Sequence, residues 1–119
     1  TLVVSDFAVS RRFYTEVLGL EVVEEDWLPE KQMFLSTGGG TELHVGEVAG
    51  VGADPGEFNH VAFSVRDFDG FLRHLTRQGV AYSDLGGRRD GYVQTRPDGI
   101  RQTFVRDPDG YWIEVNDAP

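Results

Sequence analysis

Apolar and polar positions recur along this chain with two periods. In His60-Val61-Ala62-Phe63-Ser64-Val65 the period is two, which puts Val61, Phe63 and Val65 on one face of a strand and His60, Ala62 and Ser64 on the other. Phe68, Phe71, Leu72 and Leu75 fall instead at i, i+3, i+4 and i+7, one face of a helix. The same helical period occurs earlier, where Val9, Phe13 and Val17 recur every fourth residue and Tyr14 and Leu18 widen the stripe. Asp6 and Asp67 stand just ahead of the two periodic stretches, where an N-cap acceptor belongs. Gly19 and Gly79 follow them, where a left-handed residue ends a helix at least cost.

The two helices belong to a repeat. Val4-Ser5-Asp6-Phe7 is echoed by Val65-Arg66-Asp67-Phe68, an offset of 61 (65 minus 4). Strands are predicted at 1–5 before the first helix and at 20–26, 33–37 and 41–45 after it, punctuated by Pro29 and Gly38-Gly39-Gly40. The second half repeats this with 58–66 before its helix and 81–85, 102–106 and 111–116 after it, with 92–95 a further contributor. Arg96-Pro97-Asp98-Gly99 and Asp107-Pro108-Asp109-Gly110 are tight-turn sequences, with Pro fixing φ and Gly supplying a positive one. The reading is an α+β fold of two βαβββ modules, about 1–46 and 58–119, joined by a linker at about 47–57. Their strands are expected to form a curved mixed sheet with the helices outside, in a single domain over 1–119.

Composition narrows the chemistry. The 119 residues suffice for one domain with a real core, and 39% hydrophobic with 26% charged residues is ordinary for a globular chain. A net charge of −9 argues against nonspecific partnership with nucleic acid or an anionic membrane, although Arg88, Arg89, Arg96, Arg101 and Arg106 are close enough in sequence to make a local basic patch. The absence of cysteine removes disulfides, thiolate metal sites and thiol catalysis, so any metal must be held by His, carboxylate and water. No apolar run is long enough for a transmembrane helix and no signal-peptide pattern is visible, so the cytoplasm is the expected location. The chain opens at Thr1 directly in a strand-like run, and a few native residues are expected ahead of it.

Three histidines are candidates for chemistry. His74, between Leu72 and Leu75, reads as a boundary histidine of the second helix. His60 opens a strand whose small and polar face suits a lined cavity. Glu114 sits mid-strand beside Trp112 and Asn116, where carboxylates are depleted and an unpaired buried charge is costly. Glu42 and His44 share one face of the last strand of the first half, and Glu42-Leu43-His44 reads as the counterpart of Glu114-Val115-Asn116.

These residues carry a resemblance. Val3-Val4-Ser5-Asp6-Phe7, Phe13-Tyr14-Thr15-Glu16-Val17-Leu18-Gly19-Leu20, Asn59-His60-Val61-Ala62-Phe63-Ser64-Val65 and Asp107-Pro108-Asp109-Gly110-Tyr111-Trp112-Ile113-Glu114 resemble, in order, the motifs of the vicinal-oxygen-chelate superfamily of glyoxalases, bleomycin-resistance proteins and extradiol dioxygenases. The resemblance implies that His60 and Glu114 ligate a divalent ion (Zn, Ni, Mn or Fe), with Glu42 added as in glyoxalase-I-like members. It also implies a first-module His 61 residues before His60, just ahead of Thr1, and leaves open whether this member has it. The leading expectation is a metal-dependent lyase or isomerase resembling glyoxalase I, acting on a small substrate with vicinal oxygens through a metal-stabilised enediolate. Glu42 and Glu114 are its candidate proton carriers. A metal-free antibiotic-binding protein of the bleomycin-resistance type, an Fe(II) ring-cleaving dioxygenase and a fosfomycin-type thiol or water transferase are the alternatives. A homodimer is expected by the same resemblance, with Trp27, Phe34, Tyr92 and Trp112 as candidates to line a cleft or fill a core.

Overall fold

A computed structural model describes residues 1–56 and 58–119. Glu57, the last residue of the expected linker, lies outside the described residues. The chain divides into two compact units, Thr1–Asp54 and Pro55–Pro119. No helix among the described residues is long and apolar enough to cross a membrane. The expected strands form two mixed sheets, one in each unit.

The first unit runs β1 (Leu2–Val3), α1 (Phe7–Arg12) with a π-helical continuation over Phe13–Val17, then β2 (Glu21–Val23), β3 (Gln32–Ser36) and β4 (Glu42–Gly46). Its sheet order is β1-β4-β3-β2, with β1 parallel to β4 and the other pairs antiparallel. Asp6 caps α1 by accepting the Val9 amide at 3.1 Å. The wide turn closes with the Leu18 amide on the Phe13 carbonyl, and Gly19 then takes φ +73°. Met33 and Leu35 of β3 and Leu43 and Val45 of β4 alternate into the core, where Phe13 and Tyr14 are also buried. The expected helical stripe is corrected at its start: Val9 is exposed and Ser10 is fully buried, so the inward face runs Ser10, Phe13, Tyr14. Burial follows the i, i+3, i+4 face through Ser10, and Val9 stands one helical step of about 100° away from it.

The second unit runs β5 (His60–Ser64), α2 (Phe68–Arg77), β6 (Tyr82–Ser83), β7 (Gln94–Thr95), β8 (Arg101–Arg106) and β9 (Trp112–Asn116). Its order is β5-β9-β8-β6, with β5 parallel to β9; β7 pairs with the first residues of β8, and β6 with the later ones. Asp67 caps α2 through the Gly70 amide at 2.9 Å, and Phe68 and Leu75 bury the helical stripe. The central strand β9 is buried along its whole length, so its side chains on both faces meet protein rather than water. In the turn before it, Asp107 Oδ1 accepts the amides of Asp109 at 2.9 Å and Tyr111 at 2.8 Å.

Strand pairing fixes which residues of the halves correspond. Val4 donates to the Gly46 carbonyl as Val65 donates to that of Asn116, which preserves the offset of 61 (65 minus 4) seen in the sequence. Across β3 and β4, Phe34 pairs with His44; across β8 and β9, Phe104 pairs with Glu114, an offset of 70 (114 minus 44). The counterpart of Glu114 is therefore His44, and that of Glu42 is Trp112. This corrects the expected match of Glu42-Leu43-His44 with Glu114-Val115-Asn116. The reason is that hairpin register, rather than the local Glu-apolar-polar pattern, decides which residues face each other.

Candidate functional site

In the parallel pair of β5 and β9, His60 lies opposite Trp112 and Ala62 opposite Glu114. These four side chains share a sheet face, so His60 reaches Glu114 diagonally, with Nε2 3.2 Å from Oε2. The His60 Nδ1–H donates to the Phe58 carbonyl at 2.8 Å, and the imidazole meets the Phe104 ring edge-on at 5.4 Å between centres. Because a carbonyl only accepts, this bond places a proton on Nδ1. The neutral ring then turns the Nε2 lone pair toward a carboxylate oxygen. Two acceptors at that distance share a proton or hold a cation between them.

Glu114 is positioned from its other side. Its Oε1 accepts from Asn116 Nδ2 at 2.8 Å, and Asn116 Oδ1 in turn accepts from Ser64 Oγ at 3.1 Å. Arg96 Nη1 stands 4.0 Å from the same Oε1. Arg96 is itself bonded to Asp98, whose carboxyl is held below its usual range by the Ile100 amide first and by Arg96 second. The side chains of His60 and Glu114 retain 29% and 11% exposure, enough for a small ligand to reach one edge of a pair that is otherwise enclosed.

In the first unit Glu42 and His44 form a second pair, with His44 Nε2 3.3 Å from Glu42 Oε2 and both half-exposed. The His44 ring stacks on Phe34 at 3.6 Å between centres, and Trp27 meets Phe34 edge-on at 5.6 Å. Trp27, Phe34 and His44 line a hollow of about 280 Å³ in this unit. Within neither unit do three His, Asp or Glu side chains group as a metal site among the described residues. Each unit instead offers one imidazole–carboxylate pair. His74 lies on α2 with its ring tilted against Phe71, as expected of a boundary histidine.

The donor chemistry of the His60–Glu114 pair fits a divalent ion. Imidazole nitrogen and carboxylate oxygen suit borderline ions, and two donors bound at about 2.1 Å to one ion lie roughly 3.0–3.4 Å apart. The observed 3.2 Å falls in that range, and both side chains already have outer hydrogen bonds of the kind that orient metal ligands. Reading the sequence alone placed Asn116 on the face of Glu114 but did not identify Arg96 and Phe104 as neighbours of this pair, nor His44 as the counterpart of Glu114. Asn116 was accessible from its i+2 spacing to Glu114 on one strand; the others depend on cross-strand register.

Comparison with known proteins agrees with this architecture. The family model of the Glyoxalase/Bleomycin resistance protein/Dioxygenase superfamily matches residues 1–115. An Escherichia coli (strain K12) protein named "Uncharacterized protein YaeR" is 28% identical, covering 96% of this chain and 89% of that one. Among solved structures, "Oxidase ChaP-H2" is 28% identical with a TM-score of 0.79, covering 99% of this chain and 89% of its own. A glyoxalase/dioxygenase from Nostoc punctiforme is 25% identical with a TM-score of 0.72, covering 98% of this chain and 86% of its own.

Proposed function

Because the chain belongs to the Glyoxalase/Bleomycin resistance protein/Dioxygenase superfamily, we propose that it is a metal-dependent lyase or isomerase of the glyoxalase I type, with His60 and Glu114 as metal ligands. Its substrate is a small molecule with vicinal oxygens. The observation that carries the reading is that His60 Nε2 faces Glu114 Oε2 at 3.2 Å while Nδ1 lies 2.8 Å from the Phe58 carbonyl. A divalent ion held here by His60 and Glu114 would polarise a substrate carbonyl and so acidify the C–H beside it.

The chain's own groups do the rest. Phe58 holds the His60 ring in the tautomer that leaves Nε2 free to bind, and Asn116 holds Glu114 in place. Glu42 is proposed as the carboxylate of the first half, either a further ligand or the base that takes the substrate proton. His44, 3.3 Å from it, can hold that proton in turn. An Fe(II) enzyme using dioxygen is the second reading, favoured by the 28% identity to a structure named as an oxidase. A homodimer is part of the proposal, and Trp27 and Phe58, exposed by 68% and 76%, supply apolar surface for it.

Elemental analysis of the purified protein, alongside His60→Ala, Glu114→Ala and Glu42→Ala, tests this reading. About one equivalent of metal, lost in the first two variants, is expected, and the identity of the ion separates the lyase from the oxygen-using reading. Glu42→Ala losing metal marks a ligand; keeping metal while losing turnover marks a base. No metal after reconstitution with Ni, Zn, Mn or Fe(II) overturns the proposal and leaves the metal-free ligand binder.

A further inference from the structure

We propose that a hollow beside His60 in the second unit is an anion site, which takes the carboxylate or phosphate head of a small substrate. This rests on the metal-centre reading above, which it deepens by naming a class of substrate. The hollow has a volume of about 290 Å³ and is lined by Phe58, Leu85, Gly86, Arg88, Arg106 and Trp112. That is just below the range for drug-sized ligands, about 300–1,000 Å³, and suits a smaller one.

Its position follows from register. His60 lies opposite Trp112 and Trp112 opposite Arg106, so the three form one row across β5, β9 and β8 on the face that carries Glu114. Phe58, in the wall of the hollow, is also the residue whose carbonyl holds His60. A ligand in the hollow thus lies one residue row from the proposed metal ligands.

Two guanidinium groups, those of Arg88 and Arg106, border this one small hollow in a chain with 20 acidic residues against 11 basic ones, which concentrates positive charge there.

The Arg106 side chain and the Arg88 backbone are each held in place. The Arg106 guanidinium lies over the Trp112 ring, 4.8 Å from its centre. A guanidinium stacked in this way keeps its N–H edge free for the two oxygens of a carboxylate or phosphate. Arg88 belongs to a loop pinned by Asp84 Oδ1, which accepts the amides of Arg88 and Arg89, both at 2.8 Å. Gly87 in that loop packs on the Trp112 ring, where an added Cβ would come within 3.3 Å of Cη2. The hollow is thus assembled around Trp112, with one arginine on a sheet and the other on a fastened loop.

Trp112 also reports on its own occupancy. The chain has two tryptophans, and Trp27→Phe in the first unit leaves Trp112 as the only one. In that background, fluorescence titrations with benzoate, phenyl phosphate and the neutral isostere benzamide test the site, using protein stripped of metal and dialysed free of chelator. At least one of the two anions is expected to saturate the signal at least about tenfold more tightly than benzamide, and the tighter one identifies the head group. Arg106→Gln and the exposed Arg88→Gln are each expected to weaken the anion about tenfold or more while leaving benzamide unchanged. His60→Ala is expected to retain the binding. Equal affinity for benzamide, arginine variants that match the parent, or loss of binding in metal-free or His60→Ala protein each overturns the proposal. Metal content is read separately, so failure of the anion site and failure of the metal centre are distinguishable.

Discussion

Asp107 holds the turn that delivers Trp112 and Glu114 to the site, and its replacement tests how the site is built. The residue is 5% exposed, and its Oδ1 accepts the amides of Asp109 and Tyr111 at 2.9 and 2.8 Å. Hydrogen bonds to a charged group contribute about 1.5–3 kcal/mol each, but part of this returns when the freed amides of a surface turn find water. Asp107→Ala is therefore expected to cost roughly 2–3 kcal/mol. Asp107→Asn keeps an acceptor oxygen in place and should cost about 1 kcal/mol. At roughly 4 °C per kcal/mol for a chain of this size, the alanine variant should melt about 8–12 °C below the parent and the asparagine variant about 4 °C below. Differential scanning calorimetry at neutral pH measures both. The same samples should still bind metal well below their melting points, because the ligands themselves are untouched. Equal melting temperatures for Asp107→Ala and Asp107→Asn would refute the claim that the acceptor oxygen, rather than the residue's volume, organises the turn.

Two further expectations follow from the geometry. Arg101, through its side chain first and its amide second, holds Asp117 below its ordinary value of 3.8, and Lys31 followed by the Phe7 amide holds Glu47 below 4.5. Depressed folded-state values give stability that is present above the ordinary values and lost as pH falls through the depressed ones. The melting temperature should therefore fall on the acid side of about pH 4, and Arg101→Gln should flatten that fall, while a midpoint constant down to about pH 2 contradicts the assignment. Gly87→Ala combines a backbone at φ +70° with the 3.3 Å approach to Trp112. It should cost about 1–2 kcal/mol by chemical denaturation and shift Trp112 emission, and an unchanged spectrum argues against the packed loop.

What could be read in the sequence was mostly local chemistry. Asp6 and Asp67 cap their helices as read because an N-cap needs only a side-chain oxygen three residues ahead of an amide. The turn 107–110 was legible for the same reason. His60 and Glu114 were legible as candidates because a carboxylate on a buried strand needs a partner, and the structure supplies His60 at 3.2 Å. Register was less legible. The mispairing of Glu42 with Glu114 came from matching a three-residue pattern, whereas the β3–β4 and β8–β9 hairpins align His44 with Glu114 through hydrogen bonds between residues distant in sequence. Val9 was misplaced because a four-residue spacing fits more than one helical face, and the fully buried Ser10 carries no apolar signal. Arg96 was visible only as a member of a basic cluster, since its approach to Glu114 depends on where β7 joins β8.

The two halves also differ in how much chain they place between equivalent strands. From Val23 to its partner Phe34 is 11 positions (34 minus 23), and from Ser83 to its partner Phe104 is 21 (104 minus 83). The pairing on either side of this interval is preserved, so the ten additional residues (21 minus 11) enter as an excursion that adds β7 to the sheet without shifting its register. That excursion contains β7, Arg88, Arg96 and the Asp84-pinned loop. Nearly doubling a loop raises its closure entropy by only about 0.6 kcal/mol. With Arg88 of the proposed anion site in this stretch, exchanging it would change ligand preference at a small thermodynamic cost and without moving His60 or Glu114. The shorter interval of the first half closes the same frame with Trp27 on the hollow of its own unit.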